Sequence, residues 1–170
     1  MVIEDAAHAI GASLDGRPLG TWGQIGCYSF FANKNMTTAE GGMLVTDEDA
    51  LGEKLGILRS HGMTTLTWDR YKGHASTYDV VALGYNYRID ELRSAIGREQ
   101  LKRIPAGNAK RNKWAALYRE MLAVRAPGVS IPFSADRGQG SYHIMPVLLP
   151  EGADKAALME HMKAQGVQTS

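Results

Sequence analysis

Apolar and polar positions along the chain follow two periods, a strand-like alternation in some stretches and a helical spacing in others. Val2 and Ile3 open a short apolar run ending in Glu4-Asp5, which predicts a strand over residues 2–4 followed by close packing of the small residues from Ala6 to Ala12. Ile25 to Phe31 is rich in strand-forming and aromatic residues and is the strongest strand candidate of the first half. Met43 to Thr46 predicts a further strand. Thr46 and Asp49 then resemble a capping box, opening a helix on which Leu51, Leu55 and Leu58 share a face and which Gly62 ends. Asp15-Gly16 and the spaced glycines Gly20, Gly23 and Gly26 read as turns.

Residues 63–84, with Trp68, Tyr71 and His74, show no period and read as a long loop. Asp90 is placed to cap a helix carrying Ile89, Leu92, Ile96 and Ile104 on one face. Pro105 and Gly107 should break or kink it. A second amphipathic segment sets Trp114, Leu117, Tyr118, Met121 and Leu122 on one side. After Pro127-Gly128 the pattern predicts a strand from Tyr142 to Leu149 and a helix from Asp154 to Gln165, stopped by Gly166. A boundary near residues 124–130 divides the chain into 1–125 and 126–170. Strands interleaved with helices indicate an α/β class.

Composition narrows the function by exclusion. The 170 residues are 44% hydrophobic and 22% charged, with a net charge of +1, so no global field draws in nucleic acid or anionic membrane. No apolar stretch approaches the ~20 residues that span a bilayer. The single cysteine, Cys27, excludes an internal disulfide, and the five histidines lack paired metal-ligand spacing. The basic residues between Arg98 and Arg119 read as a solvated helix face. Together these features indicate a soluble, cytoplasmic protein without a metal site. Both ends of the sequence read as interior, as in a piece of a larger protein.

Candidate chemistry centres on Lys34, in a small polar loop after the 25–31 strand and closed by Gly41-Gly42. By itself a loop lysine is a surface charge. Partial desolvation there favours the neutral amine, the form that condenses with a carbonyl. The acid pair Glu4-Asp5 lies about thirty residues upstream, a separation that suits neighbouring strands of one sheet, whose carboxyl ends bind ligands in open α/β folds. A pyridoxal phosphate site needs a lysine, an acid for the pyridine nitrogen and a phosphate cup. Asp5 and Lys34 meet the first two needs, and Ser29 offers a hydroxyl for the third.

Five runs then carry a resemblance: Glu4-Asp5-Ala6-Ala7-His8-Ala9, Tyr28-Ser29-Phe30, Lys34-Asn35 with Thr37 to Gly42, Leu58-Arg59-Ser60-His61-Gly62, and Gly84-Tyr85-Asn86-Tyr87-Arg88. In order and spacing the chain resembles the DegT/DnrJ/EryC1/StrS family of pyridoxal phosphate-dependent nucleotide-sugar aminotransferases. The match runs from residue 2 to about 122 and continues more weakly through Ser141-Tyr142-His143. It implies a partial aspartate aminotransferase-like fold (fold type I). Residues 1–125 would be the C-terminal half of the large domain, and 126–170 the start of a small domain.

The resemblance implies that Lys34 is the Schiff-base lysine and Asp5 the acid on the pyridine nitrogen. His8 falls at the position lying against the cofactor ring, and Ser29 matches the phosphate-contacting serine. Asn86 matches an asparagine that reaches the neighbouring subunit's phosphate, which implies a homodimer with shared sites. The implied substrates are a nucleotide-linked keto sugar and, as amino donor, glutamate. Sugar dehydratases of the family carry histidine where this chain has Lys34, which counts against that alternative. A non-catalytic relative with a structural or regulatory role is the other alternative. Relatives hold their phosphate-binding turn and ring-stacking aromatic in an N-terminal half without counterpart here. Pro105 and Gly107 also depart from a region that is helix in the family. The isolated 170-residue chain is therefore expected to hold the cofactor weakly, if at all, and to lack transaminase activity.

Overall fold

The structure is a computed structural model and describes residues 1–64, 79–133 and 138–170. Most of the long loop read between residues 63 and 84, with Trp68, Tyr71 and His74, lies outside the described residues. The first sheet has the order β1-β4-β5, built from β1 (Ile3–Asp5), β4 (Ile25–Ser29) and β5 (Gly42–Val45). β1 runs parallel to β4, with Ile3 opposite Ile25 and Asp5 opposite Cys27. β5 closes back antiparallel, with Ser29 opposite Gly42. The α/β class and three of the predicted strands thus stand, β4 being two residues shorter than its apolar run.

The segment joining β1 to β4 contributes a hairpin of β2 (Ser13–Leu14) and β3 (Arg17–Pro18), joined by Asp15 and Gly16 at φ 47° and 79°. Positive φ at both positions is the requirement of a tight type I′ turn. β6 (Gly138–Gln139) pairs with β2, so the second sheet has the order β3-β2-β6. Gly26, read as a turn, is instead mid-strand. A Cβ there would sit 1.8 Å from the Gly20 carbonyl oxygen, so its glycine admits a close backbone approach.

Four helices follow among the described residues. α1 (Asp49–Arg59) has Glu48 as its N-cap without a side-chain bond; Thr46 Oγ1 instead accepts the Glu48 N–H at 3.1 Å. The expected capping box is therefore replaced by a turn one residue earlier. α2 (Glu91–Leu101) is capped by Asp90, whose side chain accepts the Arg93 N–H at 2.8 Å. α3 (Ile104–Arg125) begins afresh after Lys102-Arg103, with Pro105 in its first turn, where a missing N–H costs no helical bond. α4 (Lys155–Ala164) is capped by Asp154.

The core lies where α3 meets the first sheet. Phe30, Met36 and Ile104 form its buried centre, with Ile10 and Tyr28 packed against them. Asn108, 2% exposed, secures the joint by donating Nδ2 to the Ile10 carbonyl at 3.0 Å. Trp114, Leu117 and Tyr118 on α3 are exposed, at 51%, 50% and 56%. One expectation fails further along. Residues 142–149 form no strand beyond one bridge between Ser130 and Leu148, because Ser141 and His143 are held by side chains of the first sheet's loops.

Candidate active site

Side chains alternate across a strand, and paired residues of adjacent strands share a face. The β1–β4 register therefore sets Asp5, Cys27 and Ser29 on one face, and Glu4, Gly26 and Tyr28 on the other. Asp5 and Ser29 occupy the carboxyl ends of their strands. Asp5 Oδ1 accepts the Ala7 N–H at 3.0 Å, a local turn that starts the 6–12 segment. Among the described residues its Oδ2 has no hydrogen-bond partner. Among the described residues Ser29 Oγ makes one long contact, accepting the Phe31 N–H at 3.4 Å.

Lys34 rides on the loop that leaves β4. The loop is gathered at its neck, where Phe30 N–H donates to the Gly41 carbonyl and Thr38 N–H to the Phe30 carbonyl, at 2.8 and 2.9 Å. Buried Met36 and Thr38 anchor it from within. Lys34 is half-buried, with its backbone N–H on the Phe31 carbonyl at 3.0 Å. Its Nζ makes no hydrogen bond or ion pair among the described residues.

His8 stands on the segment after β1, and its ring meets that of His143 with centroids 4.4 Å apart. Ser141 Oγ donates to the His8 carbonyl, and Asn35 Nδ2 donates to the Ser141 carbonyl at 2.7 Å. Asn35 Oδ1 lies 3.3 Å from His143 Nδ1. Burial, followed by the charges of His8, Lys34 and Arg111, holds the His143 pKa below its usual value. A cavity of about 350 Å³ opens beside this cluster, lined by His8, Leu14, Ser141 and His143 among others; Asp5, Ser29 and Lys34 do not line it.

Asn86 stands apart. It bridges to Ser60 beyond α1, and its Oδ1 accepts from Arg88 Nε at 3.0 Å. Among the described residues no hydrogen bond joins it to Asp5, His8, Ser29 or Lys34.

Two features escape a reading of motifs. Glu4, half of the acid pair, faces away from Asp5 and accepts the N–H groups of Gly20, Trp22 and Gly23 at 2.8, 2.5 and 2.6 Å. Desolvation pushes its pKa up, but these bonds together with the Arg17 charge hold it below the ordinary glutamate value. The second is the Asn35–Ser141–His143–His8 cluster, in which His8 and Asn35 lie more than 100 residues from the Ser141 and His143 they meet. The runs Lys34-Asn35 and Ser141-Tyr142-His143 name those residues, but nothing local pairs them.

Known proteins resemble this chain in sequence and fold. Over 144 residues the chain is 38% identical to the spore coat polysaccharide biosynthesis protein SpsC of Bacillus subtilis, covering 84% of this chain and 37% of that one. The sugar aminotransferase CalS13 of Micromonospora echinospora superposes with a TM-score of 0.87 at 33% identity, over 100% of this chain and 44% of its own. An Escherichia coli GDP-4-keto-6-deoxy-D-mannose-3-dehydratase with bound hydrated PLP does so with a TM-score of 0.84 at 26% identity, over 98% of this chain and 44% of its own. The chain spans less than half the length of the curated relatives it matches. The family model of the DegT/DnrJ/EryC1/StrS aminotransferases matches residues 1–170. The chain therefore belongs to that family of pyridoxal phosphate-dependent enzymes, with part of their fold type I architecture.

Proposed function

We propose that this chain supplies the lysine side of a pyridoxal 5′-phosphate site in a sugar aminotransferase. The observation that carries the reading is the register that sets Asp5 and Ser29 on one face at adjacent strand ends, with Lys34 on the loop between β4 and β5. The donor set fits the cofactor. Asp5 keeps one carboxylate oxygen uncommitted, Lys34 Nζ has no partner among the described residues, and the Ser29 hydroxyl proton has no acceptor there.

Lys34 would hold the cofactor through Nζ, Asp5 would pair with its ring nitrogen, and Ser29 would donate to its phosphate. His8 is assigned to the ring, and Asn86 to the phosphate of the neighbouring subunit in a homodimer. When bound, pyridoxal phosphate supplies an electron sink that lets the Cα–H bond of an amine ionise. Lys34 Nζ would be the group that accepts that proton and gives it up again. Asp5 acts by charge, favouring a proton on the ring nitrogen.

The proposed acceptor is the keto group of a nucleotide-linked sugar and the proposed donor is glutamate, in amino-sugar biosynthesis in the cytoplasm. In this reading residues 1–125 belong to the large domain and 126–170 to the small one. A lysine rather than a histidine at position 34 favours transamination over dehydration. The test is turnover of glutamate and a keto nucleotide-sugar by the full protein. Lys34→Ala should abolish it, and Asp5→Asn should remove most of the rate and hold less cofactor. Near-normal turnover by either variant would contradict the assigned role.

A further inference from the structure

The amide of Asn35, the residue next to Lys34, is committed at both ends. Only its NH₂ group can donate, so the 2.7 Å bond to the Ser141 carbonyl fixes Nδ2 on that side. Oδ1 is thereby turned to His143 Nδ1, 3.3 Å away. An amide oxygen only accepts, so Nδ1 of His143 must carry the hydrogen. In the neutral ring that leaves Nε2 without a proton.

His143 is itself braced against His8. The two rings meet at 4.4 Å between centroids with planes tilted by 58°. The same turn delivers Ser141 Oγ to the His8 carbonyl, so His8 is gripped at its backbone and at its ring. Between the two gripping residues, Tyr142 has φ 44°, a left-handed conformation unfavourable for a bulky side chain. Anchors on both sides keep it there: Ser141 is 5% exposed and His143 is half-buried. Such strain persists only where surrounding contacts over-determine it. The groups facing the imidazole are His8 from the segment after β1, Lys34 from the loop after β4 and Arg111 from α3, and all three disfavour its charged form.

Resting on the assignment of Lys34 and His8 above, we propose that His143 is a positioning residue of the site. Asn35 sets it as the Nδ1–H tautomer; it then fixes the His8 ring and ties the 140–143 turn to the loop that carries Lys34. A misplacement of such a group by about 1 Å is enough to cost about a hundredfold in rate.

The tautomer is read by nitrogen NMR on the full protein labelled with ¹⁵N-histidine and free of cofactor. The His143 resonances are assigned by their loss in His143→Asn. A protonated Nδ1 and a bare Nε2 at neutral pH are expected; a protonated Nε2 or a fully charged ring would overturn the proposal. This readout needs no turnover, so it stands or falls separately from the cofactor assignment. Steady-state kinetics give the second arm. His143→Leu keeps packing volume against His8 but donates nothing to Asn35, and should lower kcat by between about tenfold and a hundredfold while donor KM stays within about twofold. His143→Asn puts an amide donor near the Nδ1 position and should recover most of that loss. Equal behaviour of the two variants, whether both impaired or both normal, would refute a role resting on the Nδ1 donor.

Discussion

Adjacent residues of a strand face opposite sides of the sheet, so the neighbouring carboxylates of Glu4 and Asp5 meet different surroundings. Glu4 is spent on three backbone N–H groups of the 20–23 turn, while Asp5 keeps one oxygen uncommitted. Since the folded-state pKa of Glu4 is depressed, its stabilisation is present above the unfolded glutamate pKa and is lost as pH falls through the folded value. Glu4→Gln, which retains a neutral acceptor, should lower the amide hydrogen-exchange protection of Gly20, Trp22 and Gly23 about fivefold at neutral pH. That loss is the ~1 kcal/mol left of a charge-assisted bond once solvent screening is allowed for. Below the folded pKa the variant and the parent protein should converge; a difference that persists in acid would refute the charged clamp. A motif placed the two acids side by side, and only the β1–β4 register separates them.

Elements with a strong period were legible in the sequence. β1, β4 and β5 follow their apolar runs, and Asp90 and Asp154 cap the helices they precede. The two-residue strands β2, β3 and β6 are too short to show any period; β2 and β3 pair through the local Asp15-Gly16 turn, whereas β6 joins β2 from across the chain. The stretch 142–149 has a strand-like composition, yet Asn35 and His8 hold the preceding Ser141, and Asn35 also meets His143, so the chain is tied by side chains where a strand would start. The placement of α3 depends on a polar joint that apolar patterning does not reveal. Asn108 bonds the Ile10 carbonyl, and a Cβ on Gly11 (φ 71°) would lie 2.6 Å from Asn108 Nδ2 and 2.8 Å from Ile104 Cγ2. Asn108→Ala removes the partner of a part-buried carbonyl and should cost about 1 kcal/mol, seen as a lower melting temperature of the full protein. An unchanged melting temperature would show that the joint contributes nothing.

For the molecule as a whole, the resemblance pointed to the family whose model matches residues 1–170, and it proposes Lys34, Asp5 and Ser29 for the site because they sit in short contiguous runs. The contacts among Asn35, Ser141, His143 and His8 were not legible, since they join residues from both ends of the chain. The assignment of Asn86 belongs to a still larger scale, that of a dimer. It is tested by hybrids of an Asn86→Ala subunit with a Lys34→Ala subunit. One site of each hybrid then lacks both groups and the other keeps both, so about half the normal dimer activity is expected. Inactive hybrids would place Asn86 in its own subunit's site.

The central claim is that Lys34 carries the cofactor, and chemical fixation tests it most directly. The full protein, loaded with pyridoxal 5′-phosphate, is reduced with borohydride, digested and mapped by mass spectrometry. A phosphopyridoxyl group is expected on the peptide containing Lys34 and absent from Lys34→Ala. Modification of a different lysine, or of none, would contradict it.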